Sequence, residues 1–266
     1  MSFLSDYLDH ATGNEAPQMF HVWCAYGCLS ATIARRVWMC LDDSAIYPNL
    51  YILLVGGAGN GKTWSLMKAK RIIAELNLPY SGSVETPQGM WRFMTGDPNR
   101  EKPLPPYGGA DHKLFLEWPD GVKRECFPMN ILASEFIDFI NLDDKNWINA
   151  LNNIYDEDMY HYRTKGQGED VVQGPYITLI GGLTTQVAAG MQKDQIINTG
   201  LARRTLFQFG ERQWNNPHPN PVLTEAQKSA RIRAVNHLKE VKKVHGEFKW
   251  TPETNAWWHS WYSKNL

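Results

Sequence analysis

Apolar residues run through this chain in two rhythms. Short unbroken runs, Tyr51-Ile52-Leu53-Leu54-Val55, Met129-Asn130-Ile131-Leu132-Ala133, Tyr176-Ile177-Thr178-Leu179-Ile180 and Leu206 to Phe209, are β-branched, aromatic and leucine-rich. Such runs predict strands buried on both faces of a parallel sheet. Between them the apolar positions recur at helical spacing. Helices are expected at Phe3 to Leu8, Pro17 to about Leu41, Thr63 to about Ala74, Pro87 to Thr95 behind Thr86, Phe136 to Tyr155, Thr224 to Val244 and Pro252 to Tyr262. Leu78 to Val84 reads as a further strand and Gly246 to Trp250 as a short one. Two hairpins are expected: Lys113 to Trp118 with Val122 to Phe127 across Pro119-Asp120-Gly121, and Tyr160 to Thr164 with Asp170 to Val172 across Lys165 to Gly168. Gly96 to Gly109, with Pro98, Pro103, Pro105 and Pro106, has the composition of a surface loop. Strands alternating with helices predict an α/β fold, a parallel sheet flanked by helices with inserted β-hairpins. The expected units are an N-terminal helical segment over 1–48, a core over 49–212 and a C-terminal helical extension over 213–266.

The chemistry concentrates where the first buried strand ends. Gly56, Gly57, Ala58, Gly59, Asn60, Gly61, Lys62 and Thr63 fit G-x-x-x-x-G-K-[ST] without a gap, between a strand and a helix. Glycines allow the backbone to turn so that successive N–H groups close around a phosphate. Lys62 adds a point charge, the helix start adds a positive dipole end, and the Thr63 hydroxyl can ligate Mg²⁺. The nucleotide-binding stretch is taken to run from Gly56 through Trp64. This is the pattern of a P-loop NTPase.

Hydrolysis of a nucleotide also needs a base. The run from Met129 ends in Ser134-Glu135, which places a carboxylate at a strand end, with Ser134 as the neighbouring hydroxyl that helps hold the metal. A helix cap is the competing reading of Glu135. The strand from Tyr176 runs into Gly181-Gly182 and Thr184-Thr185-Gln186, where Thr185 can sense a phosphate or position water, unless these threonines simply cap a helix. Arg203-Arg204 precedes the last strand, and an arginine there can stabilise the charge of phosphoryl transfer. Arg35-Arg36 is expected at a solvated helix end, or else against nucleic acid or a neighbouring subunit.

Composition narrows the setting. A net charge of −1 excludes a protein that coats nucleic acid by bulk charge, so contacts must come from local patches. The best local cations are Lys113, Lys123 and Arg124 on the first hairpin and Arg163 and Lys165 on the second. A solvated face competes with that role. No apolar run reaches the roughly 18 residues of a membrane span, and Met1 to Asp6 lacks a signal-peptide pattern, so a cytoplasmic protein with no membrane contact is expected. Cys24, Cys28, Cys40 and Cys126 form no C-x-x-C pair and fit reduced, buried thiols.

The order of these pieces resembles a family of phage, prophage and plasmid P-loop ATPases that often form the helicase part of primase-helicase proteins. The resemblance rests on Pro48-Asn49-Leu50-Tyr51 leading into the glycine-rich loop, on Ser134-Glu135, and on Tyr162-Arg163-Thr164-Lys165-Gly166. Pro175 to Thr185 and Gly200-Leu201 followed by Arg204 complete it. It implies a RecA-like or AAA+ core, ATP and Mg²⁺ as cofactors, a homo-oligomeric ring, expected to be hexameric, and ATP-driven work on single-stranded DNA beside a primase or polymerase. Lys62, Glu135, Thr185 and Arg204 would then be catalytic, the last across a subunit interface. Two other readings stay open at this stage. One is an ATP-dependent assembly switch such as a helicase loader or replication initiator; the other is a P-loop kinase for a small molecule.

Overall fold

The computed structural model describes residues 2–11, 13–42, 44–81, 89–91, 94, 113–140, 145–164, 168–191, 200–213 and 222–265. In chain order the elements are α1 (Phe3–Ala11), α2 (Gln18–Ile33), β1 (Val37–Leu41), β2 (Ser44–Ile46), β3 (Tyr51–Val55), α3 (Lys62–Glu75), β4 (Tyr80–Ser81), β5 (Leu114–Glu117) and β6 (Lys123–Ala133). Then follow α4 (Phe136–Phe139), α5 (Lys145–Asp156), β7 (Met159–Thr164), β8 (Gly168–Gln173), β9 (Pro175–Leu183), α6 (Thr185–Met191), α7 (Leu201–Arg204), β10 (Thr205–Phe209), α8 (Glu225–Val241), β11 (Gly246–Glu247) and α9 (Pro252–Asn265).

Every residue of β3 is buried because β3 has a strand on each side and helices on both faces. The central sheet runs β10-β3-β9-β6-β4, and each of these neighbours is parallel to the next. Side chains alternate across it. Ile52 and Leu54 join Leu132 and Ile180 under α1, α2, α3 and α8, where Tyr7, Phe20, Leu66, Ile72, Val235 and Leu238 close one core. Leu53 and Val55 join Ile131 and Leu179 on the opposite face, under Phe136, Phe139, Trp147 and Leu151. Burying each large side chain contributes roughly 1.5–3 kcal/mol, so the two cores hold the sheet from both sides. The sheet and its flanking helices are thus the α/β arrangement expected from the strand and helix rhythm.

Several elements differ from expectation, each for a physical reason. The helix from Pro17 ends at Ile33, where Ala34 takes a positive φ of 51°, and the β-branched and aromatic Val37-Trp38 start strand β1 instead. Arg35 is therefore not at a solvated end. It is 3% exposed, donates to Asp158 Oδ1 at 2.8 Å and to Glu157 O at 3.1 Å, and lies 4.0 Å from the Tyr47 ring centroid. Arg36 donates to the carbonyls of Thr32 and Ile33, so both arginines serve the fold. The helix expected over Phe136 to Tyr155 is α4 and α5, with 141–144 outside the described residues. Helix α8 is largely a solvated face, but it anchors one side: Ala230, Ala234, Val235 and Leu238 are buried, and Arg233 and His237 reach the fully buried Asp6 of α1 at 2.7 and 3.1 Å. A capping box between Thr224 and Gln227 starts it. Cys24, Cys28 and Cys126 are buried thiols whose titration burial pushes up, whereas Cys40 is exposed.

The first hairpin and the strand that ends in Glu135 turn out to be one element. Strand β6 pairs antiparallel with β5 at its start and parallel with β9 and β4 further on. Pro128 does not break it. The Phe127 N–H points to β9, donating to Gly174 O at 3.2 Å, so the position of Pro128 faces the other side, after the β5 pairing ends at Cys126 and before the β4 pairing begins at Asn130. A residue without an N–H costs no ladder bond there. The second hairpin forms as β7 and β8. The proline-rich loop and most of the helix expected after Thr86 lie outside the described residues, although 89–91 and 94 are helical; of the strand expected at Leu78 to Val84, Leu78 and Pro79 stay outside it, Tyr80–Ser81 form β4, and 82–84 lie outside the described residues. Among the described residues no helix is long and apolar enough to cross a membrane.

Two histidines sit beneath this packing. Burial, assisted by the charge of Lys68, pushes His10 and His21 down to about 4 from the usual 6.5. An unfolded chain takes up protons at these groups that the folded chain refuses, so their contribution is complete above pH 6.5 and is lost as pH falls toward 4. The thermal midpoint should therefore decline across that window, and an NMR titration should find both imidazoles still neutral at pH 5. Imidazoles that titrate near 6.5 would contradict the burial.

Candidate functional site

Three parallel strands bring the chemistry together at their C-terminal ends. β3 leads through the glycine-rich loop into α3, which lies on one face of the sheet, while β9 leads into α6, whose Val187 and Ala188 pack on the other. Adjacent strands whose connections part in this way leave a crevice at their carboxyl ends. β9 lies between β3 and β6, so Ser134-Glu135 at the end of β6 faces the loop after β3 across one strand.

That strand is narrow where it matters. At Gly182 a Cβ would fall 2.2 Å from Ser134 O and 3.7 Å from Lys62 Cβ, so the acidic strand end and the stem of the lysine both press on the Gly182 backbone. The Lys62 charge is pushed down by burial and pulled up by the Glu135 carboxylate, which places the two charges within electrostatic reach of each other. Glu135 is exposed and occupies the position before α4 without making a side-chain cap, so the helix-cap reading of this residue is not realised.

The loop itself is held at several points. Gly56 N donates to Leu183 O at 3.1 Å, and a Cβ at Gly56 would meet Gly210 O at 2.8 Å. Gly57 stays partly covered, Ala58 and Gly59 form the exposed tip, and Asn60 Nδ2 donates to Gly210 O at 3.1 Å. Gly61 has φ of 75° and a Cβ there would lie 2.5 Å from Ala16 Cβ. Only glycine satisfies both demands. Lys62, 7% exposed, donates to Gly56 O and Gly57 O at 2.7 and 2.8 Å, which sets its ammonium at the mouth of the loop. Thr63 is exposed in the first turn of α3, and Trp64 beside it is exposed with Lys68 Nζ 5.7 Å from its ring centroid. At the end of β9, Thr184 takes the capping role, its hydroxyl accepting from Val187 N at 3.4 Å, and leaves Thr185 exposed beside the crevice.

Such a site suits an anion with a cation bound to it. The loop backbone, the positive end of the fourteen-residue α3 and Lys62 all favour negative charge. The Thr63 and Ser134 hydroxyls are the oxygen donors nearest that charge in sequence, and magnesium takes few protein ligands. Among the described residues no group of three His, Cys, Asp or Glu could hold a metal by itself.

Arg204 and the cations of the first hairpin lie at the other end of the sheet. Arg204 directly precedes β10, whose Thr205 pairs with Tyr51 at the start of β3. The length of β3, about 16 Å at roughly 3.3 Å per residue, separates it from its own glycine-rich loop. Its Nε donates to Asp156 Oδ2 at 2.9 Å, with a second bond from Nη2 to the same oxygen, and Nη1 donates to Gly200 O at 3.3 Å. Arg203 is exposed. The β5-β6 hairpin occupies the same end. There Lys113 pairs with Glu125 at 2.8 Å and Arg124 with both oxygens of Asp120, while Lys123 is exposed. Its three cations are matched by Glu117, Asp120 and Glu125, so the hairpin is not a basic patch. Arg163 lies in β7, and Lys165 falls outside the described residues.

Sequence reasoning missed a clasp over the loop. Arg212, just beyond β10, forms an ion pair with Glu15, and Gln213 N donates to Glu15 O at 2.9 Å. Together with Ala16 against Gly61, this brings the turn before α2 onto the glycine-rich loop. Nothing local in Glu15 or Arg212 signals that pairing, because it depends on β10 lying beside β3. Gly182 was detectable in principle, since a glycine within a buried strand marks a close backbone approach.

The chain matches no family model and no curated protein. The reading of the site therefore rests on its geometry. Gly182→Ala should cost at least about 1–3 kcal/mol by overpacking, seen as a lower denaturant midpoint. Gly190→Ala, in α6 with open space at the Cβ position, should be neutral or slightly stabilising. Equal midpoints for the two variants would mean that the wedge at Gly182 does not exist in solution.

Proposed function

We propose that this protein is a P-loop ATPase of RecA-like or AAA+ type that acts on DNA as a replicative helicase or helicase-like translocase of a phage or other mobile element, assembled as a ring. One observation carries the reading: Lys62 and the Ser134-Glu135 strand end meet across Gly182 at the mouth of a glycine-rich loop. The strand order supports it, with β9 set between the loop strand and the strand that ends in the acid, the order expected of a RecA-like or AAA+ sheet. ATP chemistry divides naturally among the residues. The loop backbone and Lys62 would bind and orient the β and γ phosphates, Thr63 and Ser134 would hold Mg²⁺, and Trp64, exposed beside Thr63, would offer a ring to the nucleotide. The metal supplies charge neutralisation when bound. Glu135, exposed at the strand end, accepts a proton from the attacking water, and Thr185 orients it.

Arg204 fits this scheme only from a neighbouring subunit. It is too far from its own loop, and its bond to Asp156 keeps it extended at the opposite end of the sheet. A head-to-tail ring would bring that end to the next subunit's loop. Contacts with single-stranded DNA are assigned to the two hairpins, to Arg163 and Lys165 on the second and to Lys123 first on the other, because Lys113 and Arg124 must first leave their carboxylates.

Two substitutions test the site. Lys62→Ala should lose ATP binding, measured by calorimetry, because the phosphates lose their main cation. Glu135→Gln should keep binding while hydrolysis falls by about 10²–10⁴, the range of a general base. Wild-type turnover in both variants would overturn the assignment of this site, and an unaltered chain that neither binds nor hydrolyses ATP would overturn the ATPase reading. Normal binding with no turnover in the unaltered chain, with or without single-stranded DNA, would replace the motor by an assembly switch.

The arginine is tested by mixing. Arg204→Ala and Lys62→Ala chains should each be inactive alone, and co-assembled mixtures should regain part of the ATPase rate, since some interfaces then pair an intact loop with an intact arginine. Verified mixed assemblies without activity would place Arg204 in the structural pair with Asp156 alone.

A further inference from the structure

The strand order gives the glycine-rich loop two unlike flanks. β3 has β9 on one side and β10 on the other. Beyond β9 lies β6, which leads into Glu135, so the end of a phosphate chain that reacts with water must point to that flank. The nucleoside end of the ligand then has to leave by the opposite flank, the one formed by β10.

Two segments distant in sequence are fixed together there. Gly210, just after β10, donates its N–H to Val55 O at 3.0 Å and accepts from Asn60 Nδ2 at 3.1 Å, and a Cβ on it would fall 2.7 Å from both Pro17 Cγ and Phe20 Cε1. On the other segment Asn14 shapes the turn before α2. Its Oδ1 accepts from Ala16 N at 2.8 Å and its Nδ2 donates to Ala11 O at 2.7 Å, and Ala16 rests on Gly61. Between these fixed points stand Glu15 and Arg212, joined by their ion pair and by the Gln213 N–H bond to Glu15 O.

A carboxylate is an odd neighbour for an anion-binding loop. The Glu15 side chain is only 18% accessible, so water and salt screen its charge less than they would at an open surface. Arg212 offsets that charge, which lets the acid stay beside the phosphates. The ion pair engages Oε2. An ionised carboxylate accepts at about four lone-pair sites and donates nothing, so Oε1 keeps capacity for hydroxyl donors. An ionised phosphate chain offers no such donor. The ribose of a nucleotide offers its 2′ and 3′ hydroxyls, and acids take ribose hydroxyls in dinucleotide sites by the same chemistry.

We propose that Glu15 is the ribose anchor of the nucleotide site, accepting from the 2′ and 3′ hydroxyls through Oε1 while Arg212 holds the carboxylate and neutralises it toward the phosphates. The ligand class is then a ribonucleotide, in preference to a deoxyribonucleotide or a bare polyphosphate. This rests on the nucleotide reading above and adds to it the flank on which the sugar lies.

The test compares ADP, 2′,3′-dideoxy-ADP and inorganic pyrophosphate by calorimetry with Mg²⁺, diphosphates being chosen because they carry no γ-phosphate to transfer. The unaltered chain should bind ADP at least about tenfold more tightly than dideoxy-ADP, the worth of hydrogen bonds to a charged acceptor. Glu15→Ala should bring that ratio close to one while pyrophosphate binds as well as before or better, since a negative charge has left its surroundings. Glu15→Gln, whose amide oxygen still accepts, should keep part of the ratio. Glu211→Gln, which removes the same charge from the exposed residue next to Arg212, should leave the ratio unchanged. If Glu15 only clasps the loop, its variants weaken pyrophosphate and both nucleotides alike and the ratio stays where it was. That result, a ratio near one in the unaltered chain, or an equal change in Glu211→Gln would overturn the ribose anchor and leave the phosphate site standing. A chain that binds neither ADP nor ATP would remove the nucleotide reading and the anchor with it.

Discussion

The backbone of Gly182 has no room for a methyl group, and much of the site follows from that tight fit. Ser134 O and the stem of Lys62 both crowd the place a side chain would take, so β9 acts as a thin spacer between the strand that ends in the acid and the strand that leads to the lysine. Both flanking strands are parallel to it, so the three carboxyl ends finish at one level. The spacing is set by the ladder, at about 4.8 Å per strand, rather than by flexible side chains. A lysine held by two carbonyl oxygens and a carboxylate free of any capping bond therefore face a common space.

The same parallel order gives the molecule two chemically distinct poles. At the carboxyl ends of the strands lie the glycine-rich loop, the acid and the threonines. At their amino ends lie Arg204 and the bases of both hairpins. In one chain these groups cannot cooperate, because the strand length stands between them. They acquire a joint role only if the amino-end pole of one molecule is brought to the carboxyl-end pole of another.

Much of this was legible from local pattern. The buried run Tyr51 to Val55, the loop after it and the α3 helix need only nearest-neighbour physics, and they appear where periodicity and glycine placement put them. The strand ends at Glu135 and Thr184 were equally visible, although which threonine caps α6 was not. What stayed hidden depends on contacts far apart in sequence. Arg35 looks like a helix-end cation until Asp158 and Tyr47 are placed around it. The hairpin cations look free until Asp120 and Glu125 are seen opposite them. Pro128 seems to divide two strands, and only the gap between the β5 and β4 pairings lets one strand run through it.

That continuous strand has a mechanical meaning. β6 has eleven residues, roughly 36 Å of extended chain at about 3.3 Å per residue, with the hairpin at its start and Glu135 two residues beyond its end. No loop intervenes to absorb motion. A load applied to the hairpin is thus delivered along a single strut to the carboxylate, and among the described residues a slack point on its outer side is the unladdered step at Pro128.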